Sequence, residues 1–185
     1  MRRSAASVRV GLISDTHVLM RPEALAALAG CDAIVNAGDI GTPEVLEALG
    51  GLAPVTAVRG NNDTGAWARG LPEVARLEIA GVRIAVIHIL QQLDLAQADA
   101  DVVVSGHSHK PLVIEREGLL LVNPGSAGPR RFTLPVTVAH LDLTAGMPAA
   151  TIVALVPATP PSRTPGRTRA ARRGSAPPPS RPPRR

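Results

Sequence analysis

Apolar residues arrive along this chain in short unbroken runs, each closed by a polar cluster, and the rhythm repeats. Val8 to Ser14, VRVGLIS, is β-branched and apolar and stops at Asp15, which predicts a buried strand ending in a loop. Pro22 to Ala29 is rich in helix formers, with Pro in the first turn and Gly30 behind it as a stop. DAIVNAGD supplies a second strand and loop. TPEVLEALG supplies a second helix, in which Thr42 is placed to cap, Pro43 to open the first turn and Gly50 to end it. PVTAVRGNND is a third strand running into a third polar loop. Strand, loop and helix three times over predicts parallel βαβ units, with ligands beyond the carboxyl ends of the strands.

After Pro72 the texture changes. EVARLEIAGVRIAVIH reads as two strands joined at Ala80-Gly81, ADVVVSGHSHKP as a strand ending in a His-rich loop, and PLVIEREGLLLVNPGS as a hairpin turning near Glu117-Gly118. PVTVAHLDL and ATIVALV are two closing strands. A βαβ half followed by a strand-rich half predicts an α/β protein with two sheets packed face to face and helices outside, rather than one open sheet.

Composition narrows this picture. Of 185 residues, 45% are hydrophobic, enough for one domain with a sizeable core. Trp67 and Phe132 are the only aromatics, so the core is built from Val, Leu, Ile and Ala, and a surface that stacks nucleic-acid bases on rings is excluded. Cys31 stands alone, which excludes an intrachain disulfide framework. No apolar run of about eighteen residues and no leader-like N-terminus is present, so the expectation is a soluble cytoplasmic protein without a membrane partner.

Charge divides the chain in two. Residues 157–185 hold eight Arg, nine Pro and no acidic residue, whereas residues 1–156 hold the other 12 basic side chains and all 15 acidic ones. The expected organisation is a folded domain over 1–156 and a disordered Pro/Arg-rich tail over 157–185, because such a tail buries too little apolar surface to offset its ordering entropy. Two readings of the tail stand: a solvated charged segment, or a contact for nucleic acid or another acidic partner.

Four polar clusters each follow a predicted strand: SDTH (Ser14–His17), AGDI (Ala37–Ile40), RGNND (Arg59–Asp63) and SGHSHKP (Ser105–Pro111). Singly, each has a structural explanation: Asp15 as a cap, Gly38-Asp39 as a turn, Asn61 and Asn62 as left-handed loop residues, His107 and His109 as exposed ends, His88 as a buried core imidazole. Together they deliver Asp15, His17, Asp39, Asn61, His107 and His109 to one edge, oxygen and imidazole donors with no thiolate. That set suits Mn²⁺, Fe or Zn²⁺. Asp15 and His17, like His107 and His109, are two apart and so point the same way in an extended segment, while Gly38 and Gly60 let the backbone turn just before the ligands. More than four ligands exceeds one tetrahedral ion, so two metals sharing a bridging carboxylate is the economical arrangement.

The order D-x-H, G-D, G-N-x-D, a lone His, then G-H-x-H resembles the calcineurin-like metallophosphoesterases. GNND, GHSHKP and NPGS (Asn123–Ser126) narrow the resemblance to their small YfcE-type phosphodiesterase branch, over about Arg9 to Leu143. The resemblance implies a four-layer α/β/β/α sandwich, two mixed sheets flanked by helices. It implies two divalent cations, Mn²⁺ foremost with Fe, Zn²⁺ or Ni²⁺ as alternatives: Asp15, His17 and His109 on one, Asn61, His88 and His107 on the other, Asp39 between them. The implied activity is hydrolysis of phosphodiesters by a hydroxide bridging the metals, with carboxylates or carbonyls, Asp63 among them, orienting the imidazoles from behind. The implied assembly is a homodimer or higher oligomer.

Two departures from the family pattern stand out. Many members outside the small branch have His after the metal-binding Asn; here Asn62 holds that place, able to touch phosphate but not to act as a general acid, which favours activated diesters over monoesters. After His88 the family often has T-H-G-H, whereas Ile89-Leu90 follow here and only eighteen residues separate His88 from His107. The same fold also includes a eukaryotic trafficking subunit acting as a protein-binding scaffold, so a catalytically weak scaffold is one alternative. A nucleic-acid-directed phosphoesterase or nuclease using the basic tail is another.

Overall fold

The computed structural model describes residues 7–156, so the expectation of a disordered tail at 157–185 lies outside the described residues. Two five-stranded mixed sheets face each other. The first has the order β10-β9-β1-β2-β3, built from β1 (Val8–Ile13), β2 (Ala33–Asn36), β3 (Val55–Ala57), β9 (Val136–Thr144) and β10 (Met147–Val156). The second has the order β4-β5-β6-β8-β7, from β4 (Val74–Ile79), β5 (Val82–Ile87), β6 (Val102–Ser105), β7 (Leu112–Arg116) and β8 (Leu119–Asn123). β1, β2 and β3 run parallel, as do β5, β6 and β8, while β9 is antiparallel to β1 and β10, β4 to β5 and β7 to β8.

Side-chain alternation explains the layering. From β1, Val10 and Leu12 enter the space between the sheets, where they meet Ile84, Val86, Val102, Val104 and Val122 of the second sheet. Each such side chain stabilises the fold by about 1.5–3 kcal/mol when fully buried. Ile13 and Ile34 point the other way, toward α1 (Pro22–Leu28) and α2 (Pro43–Gly50), whose Leu28 and Leu49 are fully buried against them. Gly11 permits this approach, because a Cβ there would lie 2.6 Å from Leu28 Cδ2.

The expected sandwich is therefore present, with three local differences. The third βαβ unit lacks its helix: Ala66–Gly70 forms a short 3₁₀ turn, bracketed by Gly65 and Pro72, and the chain passes directly into the second sheet. Over the outer face of that sheet the helical layer is reduced to 3₁₀ turns at Leu90–Gln92 and Leu95–Gln97, all that the short His88-to-His107 connection accommodates. Thr42 stands before α2 with extended backbone, but its hydroxyl makes no capping bond to the helix. The turns at Ala80-Gly81 and Glu117-Gly118 fall as expected, each with two successive positive φ angles, the signature of tight hairpins. Among the described residues no helix is long and apolar enough to cross a membrane.

Candidate metal centre

Five parallel strands end on the same edge and each hands over to a candidate ligand: β1 to Asp15 and His17, β2 to Asp39, β3 to Asn61, β5 to His88, β6 to His107 and His109. Five of these seven residues have left-handed backbone: Asp15 (φ 54°), His17 (45°), Asp39 (53°), His107 (67°) and His109 (58°). For a residue with a Cβ this conformation costs about 1–3 kcal/mol, and such outliers gather where function over-determines geometry. The loops are held in place by Asp15 N–H donating to Gly38 O (2.9 Å), His17 N–H to Asp39 O (3.0 Å) and His107 N–H to Asp15 Oδ2 (3.1 Å).

The donors fall into two groups. In one, Asp15 Oδ1 lies 3.2 Å from His109 Nε2 and 4.0 Å from His17 Nε2, and the two imidazole nitrogens are 3.4 Å apart. In the other, Asn61 Oδ1 lies 3.1 Å from His88 Nε2 and 3.0 Å from His107 Nδ1. Asp39 stands between them, its Oδ2 3.8 Å from His17 Nε2 and its Oδ1 3.3 Å from His88 Nε2. Asp15, Asp39 and His88 are almost wholly buried, and their donor atoms cluster closely enough to share an ion, as do those of Asp15, His17 and His109.

These residues fit a divalent cation on their own terms. Asp15 Oδ1 is buried without a hydrogen-bond partner, a state that is unfavourable unless positive charge sits beside it. The Nδ1 of His88 donates to Ala37 O at 2.7 Å, which turns Nε2 toward the cluster, where a cation would take the place of the proton that Nε2 otherwise shares with Asp39. Burial pushes the Asp39 carboxyl up, but hydrogen bonds from His88 and Asn62 outweigh it and leave the group well below the usual carboxylate range. At His88 burial lowers the pKa, and the bond to Asp39 and the Ala37 carbonyl more than reverse that. His17 goes the opposite way, lowered by burial and only partly restored by Asp39 and Asp15.

Several expectations need correction at this level. Asp63 bonds to no imidazole; its oxygens accept from Gly41 N–H and Gly60 N–H, both at 2.8 Å, so it clamps the Asp39 and Asn61 loops together. Asn62 is exposed and already bound to Asp39, its side-chain amide donating to Asp39 Oδ2 (2.6 Å) and its backbone N–H to Asp39 Oδ1 (2.9 Å). Gly38 does supply the sharp turn, at φ 92°, but Gly60 serves by lacking a Cβ, which would sit 2.1 Å from Asp39 N.

Sequence reasoning passed over the supports. Asn123 donates to Gly106 O (2.7 Å) and Ser126 to Asp15 O (2.9 Å), so NPGS braces the Asp15 and His107 loops. Its placement after an apolar strand was the available signal. Arg131 Nη2 comes within 3.4 Å of His17 Nε2 with nothing in its local sequence to mark it.

Comparison with known proteins gives a consistent picture. The family described as calcineurin-like phosphoesterase superfamily domain matches residues 8–146. A probable metallophosphoesterase of Methanothermobacter thermautotrophicus is 38% identical over 149 residues, which covers 72% of this chain and 86% of that protein. Among solved structures, Vps29 of Entamoeba histolytica complexed with Zn²⁺ superposes with a TM-score of 0.61 at 23% identity, covering 80% of this chain and 99% of that one. A novel archaeal phosphodiesterase superposes with a TM-score of 0.66 at 23% identity, covering 79% and 100%. At that identity the two structures speak for the fold.

Proposed function

Because the chain belongs to the calcineurin-like phosphoesterase superfamily, we propose that it is a phosphodiesterase working with two divalent cations. Asp15, His17 and His109 hold one, Asn61, His88 and His107 the other, and Asp39 bridges them. The observation that carries this reading is Asp39 itself, a buried carboxylate with one oxygen turned toward His17 and the other toward His88.

When bound, cations in such a cluster supply an activated water as nucleophile and offset the charge that gathers on the phosphoryl oxygens. The chain's own part is orientation. Ala37 O fixes the His88 ring, the His107 N–H fixes Asp15, and Asn123 fixes the loop between them. No covalent step on a protein group is assigned, since the clustered side chains are carboxylates, an amide and imidazoles. Asn62 donates hydrogen bonds but carries no transferable proton, so a leaving oxygen near it departs without general-acid help. Activated diesters are therefore favoured over monoesters. The zinc complex of the Entamoeba protein supports a fold that accepts Zn²⁺; the oxygen and imidazole set here also suits Fe, Ni²⁺ and Mn²⁺, and we assign Mn²⁺ first.

The test is metal analysis of the purified protein with hydrolysis of bis-p-nitrophenyl phosphate, in Mn²⁺ and after chelation. Asp39→Ala is expected to lose bound metal and at least about 100-fold in kcat/KM. Activity retained by Asp39→Ala overturns the two-metal reading.

A further inference from the structure

Beside the metal centre, on the Asn61 and His88 side, lies a cavity of about 540 Å³. That volume, equal to a sphere about 10 Å across, is in the range of small-ligand sites. Ile87 and Ile89 give its lining an apolar part, and the turn that carries Arg69 and the pair Arg59 and Glu73 give it charge. The charges are not equivalent. Arg59 Nη2 donates to Glu73 Oε1 at 2.6 Å, and Asp63 is engaged by two backbone N–H groups. Arg69 is exposed and forms no hydrogen bond or ion pair with any described residue, so it is the charged side chain of this lining left free to take a ligand.

A guanidinium without a partner among the described residues, lining the same cavity as Asn61 and His88 of the candidate reaction centre, is a site for a second anion on the same substrate. A guanidinium fork matches phosphate oxygens in pairs. The cavity's width accommodates one sugar between two phosphates, with Ile87 and Ile89 beneath the sugar or its base. Resting on the phosphodiesterase reading above, we propose that the substrate is an oligonucleotide diester bearing a terminal phosphate. The scissile phosphate lies at the metal centre and the terminal phosphate on Arg69. A cyclic mononucleotide, with one phosphate, leaves Arg69 without a role.

The experiment compares the dithymidine diester with its 5′- and 3′-phosphorylated forms, and bis-p-nitrophenyl phosphate as the substrate lacking a second anion. In the parent protein, one phosphorylated form is expected to exceed the bare diester about tenfold in kcat/KM, chiefly through KM. Arg69→Gln is expected to remove that preference and leave bis-p-nitrophenyl phosphate hydrolysis within about twofold, with Arg69→Lys intermediate. If the parent hydrolyses bis-p-nitrophenyl phosphate but shows no preference among the dinucleotides, or if Arg69→Gln keeps the preference, this inference fails and the phosphodiesterase reading stands. If the metal-loaded parent hydrolyses none of these diesters, both fail.

Discussion

Gly60→Ala measures how tightly the site is built. A Cβ at Gly60 would lie 2.1 Å from Asp39 N, 2.2 Å from Asp39 Oδ1 and 2.7 Å from Asp39 Cα, where ordinary contact begins at 3.4 Å. Relief requires Asp39 to move by about an ångström, since two of the three atoms are backbone. Asp39 is pinned, though: its carbonyl accepts from His17 N–H at 3.0 Å and its Oδ1 from Asn62 N–H at 2.9 Å. The expected destabilisation is about 3 kcal/mol, the upper end for overpacking, which for a chain of this size lowers Tm by roughly 6–12 °C. An ångström of displacement at the carboxylate lowers kcat by about 100-fold as well. Gly50→Ala is the control. Nothing lies within 4 Å of its Cβ position, and Gly50 ends α2 without left-handed backbone, so alanine there stabilises by up to about 1 kcal/mol. Circular-dichroism melts and bis-p-nitrophenyl phosphate kinetics on both variants decide the matter. A Gly60→Ala protein melting within about 2 °C of the parent with unchanged kcat refutes the reasoning.

Other outcomes follow from the same geometry. Asp63→Ala strands the N–H groups of Gly41 and Gly60 and is expected to cost about 2–4 kcal/mol in chemical denaturation, Asp63→Asn roughly half of that. Mn²⁺ at a hundredfold excess over its Kd is expected to stabilise the parent by about 2.7 kcal/mol, read as a rise in Tm that chelator reverses and Asp39→Ala lacks. The Asp101 carboxyl is held below its ordinary range chiefly by the hydrogen bond from Arg83. Arg83→Ala is expected to return it upward in an NMR titration of the carboxyl carbon. Because the folded pKa is depressed, the pair's contribution is present above the ordinary carboxylate range and disappears as pH falls through the Asp101 pKa. A stability difference between parent and variant that persists below that point contradicts the assignment.

The sheets and the gathering of polar residues at the strand ends were legible because both are written locally. A run such as VRVGLI alternates between two buried faces, and a Gly-Asp or Gly-His pair after it marks a strand end. Hairpins at Ala80-Gly81 and Glu117-Gly118 carry their turn chemistry in two residues. What escaped depends on contacts between distant segments. The hydroxyl of Thr42 has the right position and makes no cap, and Asp63 has the right distance in sequence from Asn61 but bonds to the backbone N–H groups of Gly41 and Gly60. The bracing by Asn123 and Ser126 joins residues that the chain brings together only after both sheets have formed. The missing third helix follows from a spacing, Gly65 to Pro72, that leaves no length for one.

The left-handed backbone at Asp15, His17, Asp39, His107 and His109 sets heat resistance against the proposed metal centre. Glycine at His17, whose ring accepts no backbone N–H, relaxes the chain locally while deleting a proposed ligand, so a selection that scores survival on heating alone would drift toward a sturdier protein with an eroded centre. Consensus or laboratory evolution on this scaffold therefore has to score turnover in every round. A variant that melts higher after losing such a side chain is a warning about the screen rather than an improvement in the protein.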